Sequence, residues 1–138
     1  MIAMTDPASE GWTPRNLPGY IGLTGPLWTK KEAAAWAYAI VAEDRHLNPS
    51  GIVHGGLICT LLDHAVSMVA WEANGRKPCV TVAFDVQFLA PAHARDFIVA
   101  RGEVVRRTAT LAFMRGTLAT GSEAIATATA ILKIRMDG

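Results

Sequence analysis

A chain of 138 residues is long enough for one domain with its own core and short for two. Hydrophobic residues at 51% against 18% charged describe an apolar globular protein, in keeping with an oligomer that hides part of its surface. A formal net charge of +1 gives no electrostatic case for nucleic acid or an anionic membrane as partner.

Residues 1–20 are rich in proline, glycine and polar side chains and read as an irregular N-terminal arm, with Trp12 and Tyr20 as its anchors. Residues 21–138 read as a single domain. Asp6 and Glu10 occupy a start that lacks a basic segment followed by an apolar run, so no signal peptide is visible. Cys59 and Cys79 form neither a close pair nor a Cys-x-x-Cys spacing, which points to reduced thiols in a cytoplasmic protein. Ile21 to Thr29 is a short apolar segment interrupted by Gly25-Pro26 and reads as an edge strand with a break. In Glu32 to Glu43, alanine content favours helix, whereas the alternation of Trp36, Tyr38 and Ile40 with Ala37 and Ala39 favours strand.

Asn48-Pro49-Ser50-Gly51 is a turn cluster that leads through His54-Gly55-Gly56 into Leu57 to Ala73, a mostly apolar run without proline or glycine. Asn74-Gly75 closes it with residues tolerant of the left-handed conformation. Apolar residues lie around nearly the whole circumference, which predicts a helix buried on most sides. His54, Asp63, His64 and Glu72 argue against a membrane span. An ionisable carboxylate at Asp63, in the middle of such a helix, is costly without partners and is a candidate for catalysis.

Beyond the helix, Val80, Val82, Phe84, Val86 and Phe88 form one apolar face of a strand, with Thr81, Asp85 and Gln87 on the other. Phe97 to Val105, Thr110 to Ala119 and Ala124 to Ile134 read as three further strands separated by turns. Ala124, Ala126, Ala128 and Ala130 share a face small enough to let a helix lie close. The prediction is an α+β domain in which a curved antiparallel β-sheet wraps around one long central helix.

His54-Gly55-Gly56 after Asn48-Pro49-x-Gly51, an aspartate eight residues past the first glycine, and Phe88-Leu89-Ala90-Pro91-Ala92 together resemble the hotdog-fold acyl-CoA thioesterases. Within them the likeness is to the phenylacetic-acid-degradation (PaaI-like) type and extends over roughly residues 20 to 135. The resemblance implies a strand over Ala34 to Asp44, leading into the turn. It also implies the Gly55 N–H as the main oxyanion donor, helped by Gly56, and Thr81 as the residue that holds water. The family commonly has a glycine and a basic residue in the turn after its fourth strand. This chain has Thr108-Ala109 there, which leaves Arg106 or Arg107 for a phosphate contact.

Thioester hydrolysis needs an oxyanion site, a carboxylate that attacks or activates water, and a group that positions that water. A helix beginning at a glycine pair offers free N–H groups at the positive end of its dipole. Asp63 is the nucleophile or general base. Ser67, four residues on and on the same helix face, is a second candidate to orient the carboxylate or the water. Asn48 holds the water or contacts the thioester, and His54 braces the turn through a backbone bond. Leu57, Leu61, Val66 and Trp71 are candidates to line an acyl pocket. His46, His64 and His93 show no metal-ligand spacing, and neither a Gly-x-Ser-x-Gly elbow nor a phosphate-binding loop is present.

The expected function is hydrolysis of an aryl- or medium-chain acyl-CoA thioester without cofactor or metal; the alternative is a non-catalytic acyl-CoA-binding sensor module. Gly55 and Asp63 lie about 12 Å apart along one helix, too far to meet at one carbonyl carbon. A homodimer with antiparallel helices would share its sites between subunits. The resemblance adds that such dimers often pair into homotetramers.

Overall fold

The computed structural model describes residues 6–135, so the readings for residues 1–5 and 136–138 lie outside it. The arm supplies a single turn of 3-10 helix at Pro7–Glu10 and a short strand β1 (Thr13–Arg15), and is thus less irregular than its composition suggests. Next come a one-turn helix α1 (Tyr20–Thr24), β2 (Leu27–Lys31) and β3 (Trp36–Val41). The long helix α2 (Gly55–Ala73) follows, then β4 (Cys79–Phe88), β5 (Phe97–Arg107), β6 (Leu111–Thr120) and β7 (Glu123–Ile134). All seven strands join one antiparallel sheet in the spatial order β1-β2-β3-β5-β6-β7-β4, which curves around α2 as the sequence pattern predicts.

α2 runs for 19 residues, about 28 Å at its rise per residue. Ile58, Leu62, Ala65, Val66 and Val69 pack into the concave sheet, each worth up to about 1.5–3 kcal/mol of apolar burial. The opposite side is not buried, as the apolar count predicted, but carries a half-exposed stripe of Thr60, Asp63, Ser67 and Trp71. No described helix is long and apolar enough to cross a membrane.

What lets a thick helix lie so near the sheet is a row without side chains. Gly102 of β5 pairs with Gly116 of β6, which pairs with Ala128 of β7. A Cβ at Gly102 would stand 3.1 Å from the Val66 Cα, and one at Gly116 would stand 3.0 Å from the Val66 Cγ1. Ala126, Ala128 and Ala130 join the buried floor; Ala124 does not, because the ladder shifts register between Leu118 and Ala119 and leaves Ala124 exposed.

Three expectations are corrected here. Residues Ile21 to Thr24 belong to α1 and not to a strand; β2 begins only after Pro26, whose missing N–H keeps the helix from continuing. Trp12 anchors the arm as expected, buried edge-on against Phe97 with ring centroids 5.1 Å apart, and covers Ala37 and Ala39 on the outer face of β3. Tyr20 is not an anchor: it is 66% exposed. In β4 the strict alternation fails because a bulge inserts Val82 between Thr81, opposite Leu132, and Ala83, opposite Ile131. The extra residue inverts the phase, so Thr81 faces α2 on the same side as Phe84 and Val86. Val80 and Val82 turn outward, at 53% and 58% exposure.

If the glycine row seats the helix, Gly102→Ala should destabilise the protein by about 1–3 kcal/mol, because the helix backbone itself must shift. A urea midpoint equal to that of the unsubstituted chain would show that the close approach is not limiting.

Candidate active site

The turn before α2 is held from three directions. Asn48 Oδ1 accepts hydrogen bonds from the N–H groups of Ser50 (2.9 Å) and Ile52 (3.3 Å), so the side-chain oxygen is spent on the turn itself. Its Nδ2 makes no hydrogen bond to a described residue and remains able to donate. The His46 carbonyl accepts the His54 N–H at 2.8 Å. The His46 ring is pinned between the Glu43 N–H at Nδ1 and the Thr24 carbonyl at Nε2, both at 2.9 Å. With Nδ1 accepting, the proton lies on Nε2. Arg45 adds guanidinium bonds to the carbonyls of Leu23 and Gly25, which ties α1 to this loop.

His54 caps α2. Its Nδ1 accepts the Gly56 N–H at 2.8 Å, and its carbonyl accepts from Leu57 and Ile58. The Gly56 N–H is therefore committed and does not face a substrate oxygen, contrary to the role expected for it. The Gly55 N–H has no hydrogen-bond partner among the described residues. A cavity of 480 Å³ opens beside it, lined by Asn48, Gly55, Ile58, Phe88 and Leu89. The approach is close there: a Cβ at Gly55 would come within 3.3 Å of the Phe88 ring.

Asp63 is eight residues, about two turns, further along, on the half-exposed stripe of α2. The Thr81 Oγ1 donates to Asp63 Oδ1 at 2.7 Å, the length of a charge-assisted O–H···O bond. Ser67 Oγ stands 3.4 Å from the Thr81 hydroxyl and makes no bond to the carboxylate. Of the two hydroxyls, Thr81 orients Asp63, and it does so because the β4 bulge turns it toward the helix. The Cys59 thiol is pushed up by burial and by the neighbouring Asp63 charge.

Other candidates fall elsewhere. Arg107 donates to the Ala73 carbonyl and, at 3.2 Å, to Asn74 Oδ1, so it caps the C-terminus of α2 and is not free for a phosphate. Arg106 is exposed and makes no side-chain bond to a described residue. Leu57, Leu61 and Val66 are core residues, closed off from any pocket; of the four proposed liners only Trp71 is half-exposed, with Arg76 stacked 5.2 Å from its ring. Among the described residues no group of His, Cys, Asp and Glu could hold a metal ion. Sequence reasoning missed Phe88 as the wall of the Gly55 cavity and His46 as the clamp of the loop. Only the His-Gly-Gly neighbourhood hinted at either.

α2 thus carries an unpaired N–H at its start and, eight residues later, a carboxylate held by a threonine. The family model of the thioesterase superfamily matches residues 50–126, which hold both. A Pseudomonas aeruginosa protein assigned as an esterase is 27% identical over 129 residues, spanning 91% of this chain and 96% of that one. Human acyl-coenzyme A thioesterase 13 is 34% identical over 71 residues, 51% of each chain. The crystal structure of a phenylacetic acid degradation-related protein from Ralstonia eutropha, assigned as a thioesterase, superposes with a TM-score of 0.75 at 27% identity. It covers 83% of this chain and 89% of that one.

Two histidines give the site region a pH dependence. Burial holds both His46 and His64 below the ordinary value of 6.5, in His46 against the opposing pull of the Thr24 carbonyl. A histidine whose folded value lies below its unfolded value stabilises the fold fully above about pH 6.5, and that stability is lost as pH falls through the lower folded value. The urea midpoint should therefore drop between pH 7 and 5. His46→Asn, which cannot bridge both partners, should flatten that drop; a midpoint that rises on acidification would refute the assignment.

Proposed function

The chain belongs to the thioesterase superfamily, as a hotdog-fold thioester hydrolase, and from that premise we propose that it hydrolyses aryl- or medium-chain acyl-CoA at sites shared by two protomers. The observation that carries this is the pair of half-sites. The unpaired Gly55 N–H suits the carbonyl oxygen of a thioester, and the tetrahedral oxyanion that forms from it, at the positive end of α2. The Asp63 carboxylate, oriented by Thr81 through Oδ1, has Oδ2 left to attack the carbonyl carbon or to take a proton from the water that does. The C–S bond then breaks, and CoA leaves as the thiolate and is protonated.

Gly55 and Asp63 lie on one rigid helix about 12 Å apart, so a partner protomer is needed to bring the two functions together. Antiparallel packing of two copies of α2 along their half-exposed stripes would set Asp63 of each against Gly55 of the other. A second feature supports pairing. β4 is the outer strand of the sheet, ten residues long, with Val80, Val82 and Phe88 all more than half exposed. A long apolar edge invites another strand unless it is covered, and a second β4 across a two-fold axis would cover it. Coenzyme A as the leaving group is carried by the name of the human relative; an acyl group larger than acetyl is supported by the apolar lining beside Gly55, where each buried methylene would contribute about 0.8 kcal/mol.

Asp63→Asn should keep the fold and lose at least about a hundredfold in kcat over a panel of acyl-CoAs followed with a thiol reagent. Turnover within threefold of the unsubstituted chain would remove Asp63 from the chemistry. Tight binding of acyl-CoA by the unsubstituted chain with no thiol release across the panel would make it a sensor module.

Sharing of the site is tested by mixing two inactive variants, Asp63→Asn and Gly55→Pro, the latter deleting the N–H at a helix position where proline is tolerated. After joint refolding, roughly a quarter of the original sites should be restored, since random assembly gives one intact site in each mixed dimer. Mixed dimers that are folded and inactive would place each site within one chain.

A further inference from the structure

The loop ahead of α2 holds a histidine that the proposed chemistry does not use. His46 is only 7% exposed, and both of its ring nitrogens are engaged. Nδ1 accepts the Glu43 N–H and Nε2 donates to the Thr24 carbonyl, each at 2.9 Å. The first bond closes the 3-10 turn Asp44–His46 onto the residue before it, and the second ties that turn to the end of α1. Arg45 reinforces the tie through the carbonyls of Leu23 and Gly25. α1 in turn reaches α2, where Thr60 Oγ1 stands 3.4 Å from the Tyr20 hydroxyl.

From His46 the connection to the oxyanion donor is short. The His46 carbonyl accepts the His54 N–H at 2.8 Å, and the His54 ring accepts the Gly56 N–H at 2.8 Å. Those two bonds set the first turn of α2, in which the Gly55 N–H alone is left facing the cavity. The His46 ring touches none of the reacting groups and acts on them through the main chain.

Only the neutral ring fits this place. An imidazolium carries a proton on both nitrogens, so Nδ1–H would meet the Glu43 N–H, donor against donor. Around the ring stand Glu43, Asp44 and Arg45 on its own turn, His54 on the turn into α2, and Arg95, which reaches Asp44 at 3.4 Å. Leu23 to Gly25 at the end of α1 bring no charge. The Glu43 carboxylate is taken by Arg45 at 2.6 Å, which leaves no counter-ion for a charged ring. Burial above all holds the ring below its ordinary value, against the pull of the Thr24 carbonyl.

Resting on the proposed role of the Gly55 N–H, we propose that the neutral His46 ring is the positioning residue for that donor, and that its protonation displaces the turn and slows hydrolysis without releasing acyl-CoA. A donor aimed at an oxyanion counts for more in the transition state than in the bound thioester, so its displacement shows in kcat and not in KM.

The test compares two variants. Asparagine offers an acceptor oxygen near the place of Nδ1 and does not titrate, whereas alanine offers none. At pH 8, His46→Ala should lower kcat by about tenfold or more with KM within about threefold, and His46→Asn should stay within about threefold of the unsubstituted chain in both. As pH falls below about 6.5, kcat of the unsubstituted chain should fall in step with the His46 ring signals in NMR spectra, and His46→Asn should lose that part of the fall. The Gly55 amide signal should move with the same midpoint in the unsubstituted chain and hold still in His46→Asn. Circular dichroism at each pH keeps unfolding apart from these changes. A fall in kcat or a Gly55 movement that persists unchanged in His46→Asn belongs to another group, His54 being the nearest, and overturns the proposal; so does a His46→Ala protein with unaltered kcat. If no acyl-CoA is hydrolysed while the Gly55 signal still follows His46, the hydrolysis reading fails and the positioning stands.

Discussion

The contact on which the rest of this structure depends is the seating of α2 on the Gly102–Gly116–Ala128 row. Backbone meets backbone there, with a would-be Cβ at Gly102 only 3.1 Å from the Val66 Cα. Close packing of this kind transmits displacement and does not absorb it. The helix is thereby fixed in position and rotation in the sheet, and the placement of both parts of the candidate site follows. The Gly55 N–H is presented to the cavity by Phe88, and Asp63 is presented to Thr81. A helix free to roll would hold neither.

The bulge in β4 does two things at once. One inserted residue, Val82, brings the Thr81 hydroxyl to the inner face, where it donates to Asp63, and sends two valines to the outer face of an edge strand. The first creates the oriented carboxylate; the second creates the apolar edge that a second copy would cover. Orientation of the carboxylate and exposure of the apolar edge thus have a common local cause, and bulges recur next to functional sites.

Polar commitments around the site are equally informative. Asn48 Oδ1, the Gly56 N–H and the Arg107 guanidinium each have a structural partner, while the Gly55 N–H and Asn48 Nδ2 have none among the described residues. Buried or half-buried polar groups are normally satisfied, so the unsatisfied ones mark where a ligand is wanted. Both lie at the start of α2, beside the cavity walled by Phe88.

The sequence by itself determined the long helix, the antiparallel meander after it, and the Asn48 to Asp63 stretch that carries the candidate site. Those are local properties: a run of helix formers without glycine or proline, a period of two in apolar residues, and residue types at fixed spacing. In Glu32 to Glu43 alanine content and alternation pulled apart, and the resemblance decided for a strand over Ala34 to Asp44; β3 occupies Trp36–Val41. Only the tertiary structure decided the rest. The phase inversion at Thr81, the exposure of Ala124, the capture of the Gly56 N–H by His54 and the use of Arg107 as a helix cap all depend on which strand or loop comes to lie opposite. A pairing register or a cap is settled by partners distant in the chain, and no pattern read along one segment contains that information.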